Sequence, residues 1–323
     1  MTAEPQRTNR VELRRTVRLV LPVEGASAVS GPASAVERTR SGLAPGTPSP
    51  SGASSVLNSF AGTPSTAEWA LRIEIDVAVQ GLPDPVTGYL VDIGAIDRAV
   101  RSEVVAFLAR PPAAAPAGVA AESPTPPPAK LLIHLLDRLP ASLGAAVQWV
   151  ELRQPPFLAL RMTSPNRMND ARSGASDISA LSHRVLLRQS FEFSASHRLH
   201  CPEYDDERNR ALFGKCNNPN GHGHNYRLEV AVAVAVAIDG SIAPTLPAIE
   251  RLVRELVVDR LDHTHLNLDV DVFRTLNPSV EHIARVCHDW LAAPMTAIGG
   301  SLRSVTLWET GKTSCEYPVA CPA

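Results

Sequence analysis

Two segments of this chain alternate outward and inward residues with a period of two, 71–79 (LRIEIDVAV) and 228–238 (LEVAVAVAVAI), and each holds the same place in a repeated order. Period two puts successive side chains on opposite faces, so both segments read as strands. Each follows another strand-like segment, 11–21 (VELRRTVRLVL) and 185–193 (VLLRQSFEF). Each precedes a motif that opens an amphipathic helix, AIDRAV at 95–100 and AIERLV at 248–253. A second helical segment follows, 131–139 and 280–291, and then a strand, AVQWVE at 146–151 and VTLWE at 305–309, in which Glu151 and Glu309 match. The expected architecture is α+β: a ββααββ unit used twice, its last two strands forming a hairpin.

The 323 residues suit two domains. Of the 28 prolines, 13 fall in three irregular stretches: 26–66 and 111–129, expected as inserts of the first domain, and 163–180, expected to hold the linker. The boundaries are therefore read as 1–165, a linker at 166–182, and 183–323. The longest apolar run, 230–238, is about half of the ~20 residues that a membrane-spanning helix needs. The start of the chain has no apolar core of a secretory signal, and a cytoplasmic location is expected. The formal net charge of −2 offers no pull toward nucleic acid or anionic membrane. All five cysteines lie beyond residue 200 without a pairing pattern, which argues for free thiols.

Nine of the ten histidines lie in 183–288, so histidine chemistry belongs to the second domain. His222 and His224 are two apart, which in a strand aims both imidazoles to one side, and His197 at the end of a partner strand can supply a third nitrogen. Three histidines with an open position suit a catalytic zinc. Spacing alone also allows solvated histidines in a loop. Cys216 follows Lys215 in a Gly- and Asn-rich segment, where a cation favours the thiolate. Asp262 directly precedes His263, an arrangement that orients an imidazole for proton transfer or simply ends a helix. Glu309 is either an exposed strand-end carboxylate or a bidentate acceptor for a planar heterocycle.

The motifs FSASHRL (193–199), LFGKCNNPNGHGHNY (212–226), LDHTHLNLD (261–269), NPSVEH (277–282) and LWET (307–310) stand in an order that strongly resembles 6-pyruvoyl tetrahydropterin synthase and its relative 6-carboxytetrahydropterin synthase. The resemblance covers about the last 130 residues. It implies tunnelling-fold (ββααββ) units whose antiparallel sheets join into a barrel in a homo-oligomer, with active sites between subunits. It implies zinc on His197, His222 and His224, catalysis by Cys216 with Asp262 and His263, and a pterin contact at Glu309, with Ser279 and Glu281 also on the substrate. The implied reaction turns 7,8-dihydroneopterin triphosphate into 6-pyruvoyl tetrahydropterin by loss of triphosphate. The alternatives are 6-carboxytetrahydropterin synthase, on the route to queuosine, and a non-catalytic pterin-binding protein. Five residues between Cys216 and His222 favour the pyruvoyl-forming type, and retention of Cys216, Asp262 and His263 speaks against a mere binder. Ser279-Val280, His282 and Thr264-His265 depart from the family's usual residues. The first half has no cysteine and no His-x-His, and reads as a degenerate copy that builds architecture.

Overall fold

The computed structural model describes residues 10–22, 70–108, 127–154, 156–164, 183–237 and 239–319. The first half comprises β1 (Val11–Pro22), β2 (Ala70–Gly81), α1 (Ile93–Leu108), α2 (Pro128–Leu143), β3 (Ala146–Gln154) and β4 (Leu158–Thr163). In the second half β5 (His183–His197) and α3 (Asp206–Phe213) precede β6 (His222–Val236) and the two-residue β7 (Ile242–Ala243). Then come α4 (Leu246–Val253), which runs on through a π-helical stretch at Arg254–Val258, β8 (Thr264–His265), α5 (Val280–Ala297), β9 (Ser301–Thr310) and β10 (Thr313–Tyr317).

These strands form one sheet in the order β1-β2-β3-β4-β5-β6-β9-β10, with β7 beside β6 and β8 parallel to β5. Every pair along the main path is antiparallel. The pleat sorts the residues. On one face Val77, Val150, Met162, Val185, Leu187, Val230 and Val305 are buried, together with Ile96, Val100, Leu132 and Leu135 of α1 and α2 and with Ile249, Val253, Ile283, Cys287 and Leu291 of α4 and α5. Each fully buried Leu, Ile or Val in such a layer contributes about 1.5–3 kcal/mol relative to exposure, which is why the helices lie against this face alone. The other face carries alternating charges: Arg18 with Glu74 (2.9 Å), Arg153 with Asp76 (2.8 Å), and Arg161 and Arg188 both with Glu151 (2.8 Å each).

The two halves meet at β4 and β5, where Leu160 faces Leu187 and Met162 faces Val185. Matching contacts recur in the halves: Arg15 of β1 reaches Asp97 of α1 at 3.3 Å, and Gln189 of β5 reaches Glu250 of α4 at 2.9 Å.

Three expectations change. The sheet of one chain is open rather than closed into a barrel, because β1 and β10 are each paired on one side only among the described residues. Pro128 and Ala129, read as the end of the second insert, open α2: proline is compatible with the first helical turn, and Ala129 is buried. Glu151 does not correspond to Glu309. Glu151 faces Asp76 and Arg161 across the strands and lies on the charged face, whereas Glu309 follows Leu307 by two and lies on the helix side. The insert at 26–66 and the linker at 166–182 lie outside the described residues.

Candidate active site

The long pairing of β5 with β6 creates the histidine cluster. His197 faces His222 and Ala195 faces His224, so alternation places all three imidazoles on the helix side of the sheet. His197 Nε2 lies 3.2 Å from His222 Nε2. Glu309, carried in by β9 on the other side of β6, places Oε1 3.3 Å from His197 Nε2 and 3.4 Å from His224 Nε2. One ligand atom from each of these four residues lies within 4.8 Å of the others. The sequence left Glu309 either an exposed strand-end carboxylate or a bidentate acceptor for a planar heterocycle; its place beside the histidines depends on cross-strand register.

The arrangement passes a test for a metal. His197 is fully buried, and its Nδ1 donates to the Pro278 carbonyl at 2.7 Å, which leaves Nε2 with a lone pair for the centre. His224 Nε2 is buried without a hydrogen-bond partner. Burial, reinforced by the other imidazoles, holds His222 below its ordinary range, and burial outweighs the Glu309 charge in lowering His224. Both are therefore biased toward the neutral form that binds metal. In the metal-free centre a proton on His197 Nε2, facing Glu309, holds the Glu309 carboxyl below its usual range; a metal on Nε2 would take the place of that proton. Acceptor atoms this close need a proton or a cation between them, and three imidazole nitrogens beside a carboxylate suit zinc with a position left open.

The loop before β6 explains how these groups crowd together. Gly221 has φ +72°, and a Cβ there would stand 2.8 Å from His265 Nε2 and 3.0 Å from the His197 carbonyl oxygen. No larger residue fits. Gly223, by contrast, has ordinary room.

Cys216 sits in the turn Gly214–Asn217 after α3. Buried Asn217 holds that turn, donating from Nδ2 to the Leu199 carbonyl at 2.8 Å. The Cys216 thiol shares a cavity of about 800 Å³ with His222, Arg198, Arg210 and Lys215. Burial and then the Glu309 charge push this thiol upward, opposite to the effect expected from Lys215. Tyr226, two residues beyond His224 and fully buried, stacks on Phe193 at 5.0 Å, and its hydroxyl has no hydrogen-bond partner. Its parity in the strand was the signal that could have found it.

Asp262 and His263 form a pair on the other side. Asp262 Oδ1 accepts the Ser194 N–H at 2.8 Å, and Oδ2 lies 2.8 Å from His263 Nδ1. The Ser194 N–H, followed by His263, holds the Asp262 carboxyl below its usual range. His263 has φ +57° and a side chain 82% exposed. It borders a cavity of about 420 Å³ with Ser194, Ser196, Asn225 and His265, and Cys216 is not part of that lining. Ser279 caps α5, its Oγ accepting the His282 N–H at 3.4 Å, and Glu281 is exposed on the first turn beside Cys315. The structure does not bring Ser279 or Glu281 into the histidine cluster; this loop serves it through the Pro278 carbonyl. The unusual His282 donates through Nδ1 to the Asn277 carbonyl at 2.8 Å.

The family model described as 6-pyruvoyl tetrahydropterin synthase matches residues 186–319. Human 6-pyruvoyl tetrahydrobiopterin synthase is 37% identical over 134 residues, which are 42% of this chain and 91% of the human one. The enzyme of the same name from Pongo abelii is 34% identical over 134 residues, again 42% of this chain and 91% of the relative. A solved structure of Caenorhabditis elegans 6-pyruvoyl tetrahydropterin synthase is 34% identical, covers 43% of this chain and 98% of its own, and superposes with a TM-score of 0.39. The chain is an enzyme of the lyase class. It belongs to the 6-pyruvoyl tetrahydropterin synthase family, with the match beginning inside β5 and ending after β10.

Proposed function

We propose that the chain converts 7,8-dihydroneopterin triphosphate into 6-pyruvoyl tetrahydropterin with release of triphosphate. The observation that carries this reading is the convergence of His197, His222 and His224 beside Cys216 in a chain of this family. His197, His222 and His224 would hold zinc, which when bound makes the hydroxyl-bearing carbons of the substrate side chain easier to deprotonate. Cys216 removes a carbon-bound proton, and Asp262 keeps His263 in the tautomer that passes protons on. Glu309 accepts from the N–H edge of the pterin ring, next to the metal centre.

His263 is exposed and borders a different cavity from Cys216, so in this reading the two act together across an interface between copies of the chain. The recurring ββααββ order and the matched Arg15–Asp97 and Gln189–Glu250 contacts support tandem tunnelling-fold domains at 1–165 and 183–323. The first is architectural: by register Leu71 stands where the second half has His224. The internal β4–β5 joint is the pattern by which β10 of one copy would meet β1 of the next in a homo-oligomer. Among the described residues no helix is long and apolar enough to cross a membrane.

The test is steady-state turnover of 7,8-dihydroneopterin triphosphate followed by triphosphate release. Cys216→Ala should keep the metal and lose a factor of about 10²–10⁴ in turnover, the usual weight of one acid–base group. Wild-type turnover by this variant would refute the assignment.

A further inference from the structure

Three successive helix-side residues of β6, His222, His224 and Tyr226, each carry a buried polar atom without a hydrogen-bond partner: Nδ1, Nε2 and the phenol hydroxyl. A metal gives the two imidazoles a purpose and leaves the hydroxyl without one. Tyr226 is fully buried, and its ring is already packed. It stacks on Phe193, its partner in β5, at 5.0 Å, and lies edge-on to His197 at 6.3 Å and to His224 at 5.6 Å. A phenylalanine would make the same contacts without the cost of a buried unpaired hydroxyl, so this oxygen calls for a partner that these contacts do not show. The remaining neighbour of Tyr226 is Glu309. Arg227 of β6 faces Trp308 of β9 on the charged side of the sheet, its guanidinium 3.9 Å from the ring centroid, and the next step of that register sets Tyr226 beside Glu309 on the helix side. Residues opposite one another in an antiparallel pair have Cβ atoms about 4.5–5.5 Å apart. Burial, then the charges of Glu309 and Cys216, push the phenol upward, in keeping with a hydroxyl close to both.

Among the described residues Glu309 has two close partners, His197 Nε2 at 3.3 Å and His224 Nε2 at 3.4 Å. Nε2 is also the only atom that His197 can turn to a metal, because its Nδ1 is committed to the Pro278 carbonyl. Zinc on the histidines therefore takes from Glu309 the donors that now face it, and a largely buried carboxylate needs another. We infer that the Tyr226 hydroxyl donates to Glu309 when the histidines hold zinc, and so fixes the carboxylate that meets the pterin ring; this assignment rests on the function proposed above. Tyr226 is a positioning residue: it acts through Glu309, and no bond is made or broken at the phenol. One Glu309 oxygen accepts from Tyr226, and the other is left for the N–H edge of the ring. A carboxylate pinned at one oxygen presents the other in a fixed place, which lowers the ordering cost of binding.

The experiment is thermal unfolding of the full chain, wild type and Tyr226→Phe, each freed of metal by a chelator and then loaded with zinc. The substitution keeps the stacked ring and removes the hydroxyl alone. Without zinc the variant should melt no lower than wild type, because it loses an unpaired group. Zinc should then raise the wild-type melting temperature more than that of the variant, by about 3 °C or more, the weight of a hydrogen bond to a charged group. With 7,8-dihydroneopterin triphosphate the variant should raise KM about tenfold and change kcat less. In a Glu309→Ala background the same substitution should alter neither KM nor the zinc-dependent rise, since a residue that acts through another has no effect without it. An equal zinc-dependent rise in wild type and Tyr226→Phe, or an effect that persists undiminished in the Glu309→Ala background, would overturn the inference. A wild-type melting temperature that zinc does not move would overturn the metal reading and this inference together. In a chain that zinc stabilises but that does not turn over the pterin, the melting differences alone decide, so failure of the reaction assignment is distinguishable from failure of the Tyr226 contact.

Discussion

Glu151 is the carboxylate on which the joint between the two halves depends. It lies on β3, with only 6% of its side chain exposed, and a single oxygen accepts from Arg161 Nε of β4 and Arg188 Nη1 of β5, both at 2.8 Å. Glu151→Ala would leave two guanidiniums facing one another across the joint, with Arg161 still over Trp149 at 3.9 Å and Arg188 3.8 Å from Glu229. Removing one partner of a buried ion pair costs about 3–5 kcal/mol. Each guanidinium here is about a quarter exposed, so solvent screening reduces the expected loss to about 2–3 kcal/mol. At about 2–4 °C per kcal/mol for a domain of 150–250 residues, the melting temperature should fall by about 4–12 °C. Urea denaturation followed by tryptophan fluorescence reads both the loss and its locality, since Trp149 reports on the joint. Glu151→Gln, which keeps an acceptor, should cost less. Turnover and KM should be unchanged, because Glu151 lies on the face of the sheet opposite the histidines. A loss below about 0.5 kcal/mol, or a fall in turnover at undiminished stability, would refute the reasoning.

Zinc analysis should return about one equivalent per chain, because only the second half carries the three histidines, and His222→Ala combined with His224→Ala should abolish retention. In the metal-free protein the Glu309 charge disfavours the Cys216 thiolate, so Glu309→Gln should lower the thiol pKa and speed iodoacetamide alkylation of Cys216 at pH 8; an unchanged rate by peptide mass spectrometry would remove Glu309 from the neighbourhood of the thiol. If copies join in the register of β4–β5, Leu13 takes the place of Leu187 and Cys315 that of Leu160. Oxidation of the Leu13→Cys variant should then link copies covalently on a non-reducing gel, and the added change Cys315→Ser should prevent it.

Much of the site was legible because it depends on local periodicity. His222 and His224 share a face by a spacing of two, and the strand that carries them begins where the motif does. What escaped depends on register between distant strands. Glu309 reaches His197 and His224 only because β9 pairs with β6, and the match of Glu151 with Glu309 failed because aligned letters do not record which way the pleat turns. The thiol of Cys216 followed its burial and the nearby carboxylate rather than its neighbour Lys215, and neither influence is visible in a linear reading. The separation of Asp262 and His263 from Cys216 is likewise set by topology: β8 pairs with β5 and carries that pair to a cavity that Cys216 does not line. The start of α2 was hidden by composition, since its first residues continue a proline-rich stretch.

The central claim is tested most directly by the mass of the product. The zinc-loaded chain, incubated with 7,8-dihydroneopterin triphosphate under anaerobic conditions, should yield 6-pyruvoyl tetrahydropterin and one triphosphate for each substrate consumed. Recovery of 6-carboxytetrahydropterin with a two-carbon fragment, or of unchanged substrate in the presence of a full complement of zinc, would contradict it.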